Sequence, residues 1–214
     1  MDRMTERARP AIDLIFAVIL LIATLSTAFC VYQATRWNGF QAIDFGESSQ
    51  LLTESIRATS TADSQVVIDV QMFTSWVNAV SKGDRVQAAF LKERFRGEFR
   101  PAFDAWIAGA NTSANPIPAG TSFDRPEYAL SKYHESAALE ELATAAFDRG
   151  VDANTNGDQY ISNTVLFAIV LFFCGVYSRW ESIRIRAALL VVTLFILSGA
   201  IASLGSLLLR VGYV

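Results

Sequence analysis

Three long runs of apolar residues dominate the pattern of hydrophobic and polar positions along this chain. They cover residues 11–32, 161–178 and 187–209, and the first holds one charge, Asp13, near its start. A helix needs roughly 20 residues to cross a hydrocarbon core about 30 Å thick. Only helices and closed barrels satisfy their backbone groups in lipid. The pattern therefore predicts three transmembrane helices.

The polar stretch between the first two spans, residues 33–160, shows helical periodicity and no long strand-like alternation. We expect the first span to continue outward as a helix and to turn at residues 59–63, where Ser60 or Thr61 can cap a second helix. That helix, about 62–81, would bury one apolar face, made by Val66, Val70, Phe73, Val77 and Val80.

Asp84 and Gln87 form a capping-box start to a third helix, which Pro101 should bend near Gly97. Asp124 is the predicted cap of a fourth helix that runs on into the second span. This order returns the chain to the membrane where it left, so an antiparallel bundle is the simplest arrangement. The predicted fold is an all-α membrane protein in which an extracytoplasmic four-helix bundle separates the first and second of three transmembrane helices.

Arginine placement predicts the orientation. The tail 1–10 and the loop 179–186 carry three arginines each, whereas the opposite side carries three in total close to the membrane. Cytoplasmic flanks are enriched in basic residues. We therefore expect a plasma (inner) membrane protein whose tail and loop are cytoplasmic and whose residues 33–160 and 210–214 lie outside. A cleaved signal peptide is the alternative for residues 11–32, but that run exceeds the usual apolar core of about 7–15 residues.

Composition and charge narrow the partners. The stretch 33–160 holds 11 Lys/Arg and 17 Asp/Glu, a net charge of −6, which argues against nucleic acid. The two cysteines, Cys30 and Cys174, fall at different predicted depths and are not expected to form a disulfide. The lipid bilayer is the expected environment, with self-association or another membrane protein as the expected partner.

The densest aromatic pattern is at residues 93–106, where aromatic side chains recur every three or four positions. Its members are Phe95, Phe99, Phe103 and Trp106. Because they share one face while charged residues pair on others, we interpret them as core or interface residues rather than as a nucleic-acid surface. This run, with Asp158-x-Tyr160, resembles an uncharacterised group of bacterial three-span membrane proteins. The resemblance covers only these two stretches and implies no activity.

Motifs that carry chemistry are weak in this sequence. Residues 152–157, DANTNG, match the first half of a calcium-binding EF-hand loop, but position 12 is Asn163 rather than the bidentate Glu that completes such a site. A flexible or kinked membrane-entry turn is the favoured interpretation of this segment. The single histidine, His134, has no second His or Cys near it. No cofactor, metal or enzymatic activity is expected.

The third span carries overlapping pairs of small residues four positions apart. They are Ser198, Gly199, Ala202, Ser203 and Ser206. Small residues let helix backbones approach closely in lipid, either within one chain or between copies.

Two functions remain open. The favoured one is a non-enzymatic assembly or interaction subunit that acts through its outer bundle. The alternative is a subunit of a homo-oligomeric ion channel, whose polar intramembrane residues would include Asp13, Thr24 and Thr27 or the small face of the third span.

Overall fold

The computed structural model describes residues 3–109, 117–177 and 179–211, and within these ranges the chain forms helices and no β-strand. Five α-helices occur in order: α1 (Arg3–Ser81), α2 (Arg85–Glu93), α3 (Arg100–Ile107), α4 (Ser131–Tyr177) and α5 (Ile183–Val211). A short 3₁₀ helix, Ser122–Asp124, precedes α4.

Three of these helices, α1, α4 and α5, contain stretches long and apolar enough to cross a membrane. Between 17% and 33% of each such stretch is buried inside the chain, so most of its apolar side chains face outward. Outward apolar surface on helices of this length is the arrangement expected in lipid. The prediction of three long apolar helices is confirmed. Helix α5 begins at Ile183, before the predicted span 187–209, and the limits of that span in the membrane stay a prediction.

The chain divides into two compact units. The span unit comprises Met1–Gly46 and Ala146–Val214, and the insert unit comprises Glu47–Ala145. The predicted continuity of the outer domain with the first two spans is confirmed, because α1 and α4 each run without interruption through residues of both units. The predicted outer segment 210–214 and the end of the second span at residue 178 lie partly outside the described residues.

The buried side of α1 follows a heptad pattern. From Cys30 to Ala79, buried or half-buried positions alternate at spacings of four and three residues, as in a coiled-coil seam. Several of these positions hold small residues, among them Ala34, Ser48, Ser55, Ala58 and Ala62. A seam of small side chains lets a neighbouring helix approach closely.

In the span unit, two glycines on α4 mark where α1 and α4 lie too close together for a larger side chain. A Cβ built at Gly150 would lie 2.5 Å from Cε1 of Phe45, and one at Gly157 would lie 2.9 Å from the amide oxygen of Asn38. The two glycines are seven residues apart, as are the two α1 residues that they face. The core continues with buried side chains from all three spans, including Phe16, Ala23, Tyr160, Phe167, Val170, Leu197 and Ala200.

Several predicted helix boundaries in the insert unit are wrong. The turn at residues 59–63 does not exist, because α1 runs straight through it and Ala58 and Ala62 are buried in its seam. Asp124 lies in the 3₁₀ helix, and α4 starts instead at Ser131. Of the predicted apolar face of helix 62–81, Val70 is exposed and Phe73 is buried.

The third predicted helix begins as expected but is two helices. The Asp84 carboxylate accepts a hydrogen bond from the backbone N–H of Gln87 at 2.9 Å, which confirms the cap of α2. The chain leaves the helix after Glu93 and resumes at Arg100, with Pro101 in the first turn of α3. Proline is tolerated there because first-turn N–H groups have no intrahelical partner. Pro101 therefore starts a helix rather than bending one.

Candidate functional site

The aromatic residues predicted near α3 form the core of the insert unit. Phe95, Phe99, Phe103 and Trp106 are all buried, and they pack against Phe73 and Trp76 of α1. Edge-to-face contacts dominate: Phe73 meets Trp106 at 5.1 Å between ring centroids, and Trp76 meets Phe103 at 4.8 Å. Such pairs each add about 0.5–1.5 kcal/mol beyond the burial of their area. The sequence left open whether these four residues are core or interface residues, and in the structure they lie in the core of the insert unit.

Beside this cluster lies a buried carboxylate that the sequence analysis did not single out. Asp69 on α1 is 1% exposed, and its Oδ1 accepts a hydrogen bond from Nε of Arg96 at 3.0 Å. Its Oδ2 accepts another from the phenol of Tyr128 at 3.1 Å. A buried charge is tolerated only when it is paired and hydrogen-bonded, and both conditions hold here. Asp69 thereby ties three segments of the insert unit together.

The network continues from Arg96 to the start of α4. Glu98 binds the Arg96 guanidinium at 3.1 Å and accepts bonds from both the backbone N–H and the hydroxyl of Ser131. These bonds, first the one from the Ser131 side chain, lower the pKa of Glu98. Burial, followed by the nearby Asp69 carboxylate, raises the pKa of Tyr128. Because every charge has a partner, the network positions segments rather than presenting a reactive group.

Asp13 lies in a cluster that links the three spans. Its carboxylate accepts a hydrogen bond from the hydroxyl of Tyr177 on α4 and lies 3.4 Å from the guanidinium of Arg186 on α5. The Tyr177 ring stacks on Phe16 at 3.7 Å between centroids. Arg9 precedes Asp13 by four residues, the helical spacing for an ion pair, but its side chain lies outside the described residues. Through Tyr177 and Arg186, Asp13 connects α1 to both α4 and α5.

Thr24 and Thr27 both use their hydroxyl hydrogens within α1. Thr24 donates to the carbonyl of Leu20 and Thr27 to that of Ala23, each at 2.7 Å. This is the usual way for a helix in lipid to satisfy a hydroxyl group.

The small residues of α5 divide clearly by exposure. Ser198, Gly199, Ala202 and Ser206 are exposed and Ser203 is half-buried, whereas Thr193, Leu197, Ala200 and Leu207 are buried. A Cβ added at Gly199 would meet no atom within 4 Å. The chain therefore packs α5 mainly through a different face. Among the described residues Gly199 and Ala202 stay uncovered, whereas Ser203 and Ser206 line a groove that residues of α4 also line.

A groove in the span unit lies between α1 and α4. It has a volume of about 390 Å³ and is lined by Trp37, Phe40, Asp44, Arg149, Asp152, Ala153, Thr155 and Asn156. Arg149 is paired with Asp44, with 3.2 Å between Nε and Oδ1. Ligand pockets typically combine an apolar wall with a few polar groups in a cavity of about 300–1,000 Å³. This groove has both features.

The partial EF-hand motif lies within this region but has no loop. Residues 152–157 are part of the continuous helix α4, so the predicted membrane-entry turn is wrong. Helical geometry places Asp152 and Asn156, four residues apart, on the same face, where both line the groove. Gly157 faces Asn38 instead of turning a loop.

Sequence reasoning missed Asp69, Arg186 and Tyr177 because their partners are distant in the chain. The spacing of Gly150 and Gly157, two glycines one heptad apart in a helical segment, could have predicted a close approach of another helix.

Comparisons with models of protein families, with curated proteins and with solved structures return no match to this chain.

Proposed function

We propose that this chain is a non-enzymatic assembly subunit of the plasma (inner) membrane, with its N-terminus in the cytoplasm and its insert unit, a bundle of helical segments, outside. The three apolar helices support the membrane location, and the arginine distribution supports the orientation. In this arrangement α5 associates with a second copy of the chain, and the insert unit meets a partner protein or a further copy.

The observation that carries the proposal is the exposure of the small residues Gly199 and Ala202 on α5. Burial elsewhere on this helix shows that the chain has already packed it through Thr193, Leu197 and Ala200. The remaining small residues, Gly199 and Ala202 among them, present little side-chain bulk to the surroundings. Association of helices in lipid depends on close backbone approach, which small residues permit. The exposure of Gly199 and Ala202, which no other helix covers among the described residues, supports association between copies.

A second surface on the insert unit supports a partner contact there. Helix α2 contains no buried residue. Val86 is 83% exposed and Phe90 is 52% exposed, and these two side chains lie one turn apart. Apolar side chains left exposed on a short helix are candidates for contact with another protein.

Disulfide crosslinking tests the association directly. On a background without Cys30 and Cys174, we expect Ala202→Cys to give a covalent dimer in membranes under mild oxidation. Ile201→Cys is the matched control, because Ile201 is also exposed but points about 100° away from Ala202 around the helix. Equal crosslinking at both positions, or none at Ala202, would contradict the proposal.

The alternative function, a homo-oligomeric ion channel, remains a prediction without a supporting contact among the described residues. Purified protein reconstituted in planar bilayers would decide it. We expect no conductance above that of lipid alone, together with a stable oligomer. Currents that change when Thr24 or Thr27 is replaced by valine would favour the channel.

A further inference from the structure

The groove between α1 and α4 holds an unbalanced set of charges. Arg149 is its one lining cation and is already paired with Asp44 at 3.2 Å. Asp152, one turn along α4 from Arg149, lines the same groove, and no hydrogen bond or ion pair to it occurs among the described residues. The lining therefore has a net charge of −1 and one carboxylate that is available to a ligand.

The opposite wall is aromatic. Trp37 and Phe40 lie on α1 with 5.7 Å between their ring centroids, at an angle of 66°. Aromatic faces attract cations through the negative charge of their π-systems, and Trp does so most strongly. The guanidinium carbon of Arg36 lies 5.8 Å from the centroid of Phe40, so this ring already has a cation beside it and the Trp37 ring is the one available to a ligand.

We propose that this groove binds a small organic cation with a quaternary or primary ammonium group. In this arrangement the ammonium lies between the Trp37 ring and the Asp152 carboxylate, and Thr155 and Asn156 offer hydrogen-bonding groups to the rest of the ligand. An anion is disfavoured, because the lining cation is already neutralised by Asp44. A free amine and the headgroup of a zwitterionic lipid share this chemistry. The proposal is independent of the association through α5.

Calorimetric titration of the full-length protein with choline and with tetramethylammonium tests the proposal. The protein is held in nanodiscs of phosphatidylglycerol, and potassium chloride at equal ionic strength is the reference. We expect saturable binding of the organic cations that Asp152→Asn weakens about tenfold. Trp37→Leu should weaken it by a similar factor. Asp148→Asn removes the same charge one turn earlier on α4, at an exposed position outside the groove, and should change affinity less than twofold.

A second titration identifies the source of the cation. With phosphatidylcholine in the nanodiscs, a lipid-headgroup ligand would compete and lower the apparent affinity for added choline, whereas a free amine ligand would leave it unchanged. Both results support an ammonium site. Failure of wild-type protein to bind either probe, or equal weakening by Asp148→Asn and Asp152→Asn, would overturn the proposal. Because Asp152 is exposed, its variant is expected to fold, and circular dichroism checks this.

Discussion

Glycine at position 150 is predicted to be required for the close approach of α1 and α4 in the span unit. Alanine is about 1 kcal/mol more favourable than glycine inside a helix, so Gly→Ala normally stabilises. At Gly150 the added Cβ would lie 2.5 Å from Cε1 of Phe45, whereas ordinary contacts lie at 3.4–4 Å. The ring and the new methyl group must therefore separate by roughly 1 Å. Overpacking of this kind costs about 1–3 kcal/mol.

The structure offers a matched control. Gly46 lies inside α1, and a Cβ there would meet no atom within 4 Å. Gly46→Ala should therefore gain about 1 kcal/mol of stability, while Gly150→Ala should lose about 1–2 kcal/mol once overpacking exceeds the gain in helix propensity. Thermal or denaturant unfolding of the purified protein in detergent, followed by circular dichroism, measures both. The expected difference between the two variants is about 2–3 kcal/mol.

A double-mutant cycle isolates the contact itself. Phe45→Ala removes the ring that Gly150 accommodates, and with it the stacking on Phe147 at 5.3 Å. In that background Gly150→Ala should become stabilising, as it is at Gly46. A coupling energy between the two sites of about 2 kcal/mol would be at the upper part of the range seen for residues in contact. If Gly150→Ala stabilises the wild-type protein as much as Gly46→Ala does, the proposed role of the glycine is refuted.

Three further predictions concern the ionic and polar clusters. Asp69→Asn should cost about 3 kcal/mol of stability because it removes the buried partner of Arg96. Asp104→Asn, in an exposed pair with Lys92, should cost under about 1 kcal/mol. Equal effects of the two substitutions would contradict the role of Asp69. Tyr177→Phe keeps the stacking on Phe16 and should cost about 1 kcal/mol, whereas Tyr177→Ala should cost about 3 kcal/mol or more. Thermal unfolding in detergent that shows no difference between them would argue against the ring contact. Glu98 has a pKa below its ordinary value, so its contribution is present above the unfolded pKa near 4.3 and is lost as the pH falls through the folded pKa. Acid unfolding of Glu98→Gln should therefore be less steep below about pH 4.5 than that of the wild type, and parallel curves would exclude this contribution.

The sequence predicted the apolar helices well because each is a long run with a strong and local signal. It also predicted the Asp84 cap and the shared face of the aromatic residues between Phe95 and Trp106, since both depend on residues a few positions apart. The turn at residues 59–63 failed for the opposite reason. Thr59, Ser60 and Thr61 have low helix propensity, but Ala58 and Ala62 are buried and the Thr59 hydroxyl donates to that of Ser136 on α4 at 2.9 Å. Tertiary packing therefore overrides the local propensity.

Small seam residues explain most of what could not be predicted. A heptad made of Ala34, Ser48, Ser55 and Ala62 carries almost no hydrophobic contrast, so apolar periodicity does not reveal it. The ties made by Asp69 and Asp13 join residues separated by 27 positions or more, and one chain gives no local sign of such pairs. The groove beside Asp152 likewise depends on two helices meeting.

The arrangement across the membrane is tested most directly by labelling single cysteines in intact cells with a maleimide that cannot cross lipid. On a background without Cys30 and Cys174, Ser60→Cys and Ser182→Cys report on the insert unit and on the loop between α4 and α5, and both positions are exposed. We predict that position 60 is labelled in intact cells and that position 182 is labelled only after permeabilisation. Labelling of position 182 but not of position 60 in intact cells would contradict the account.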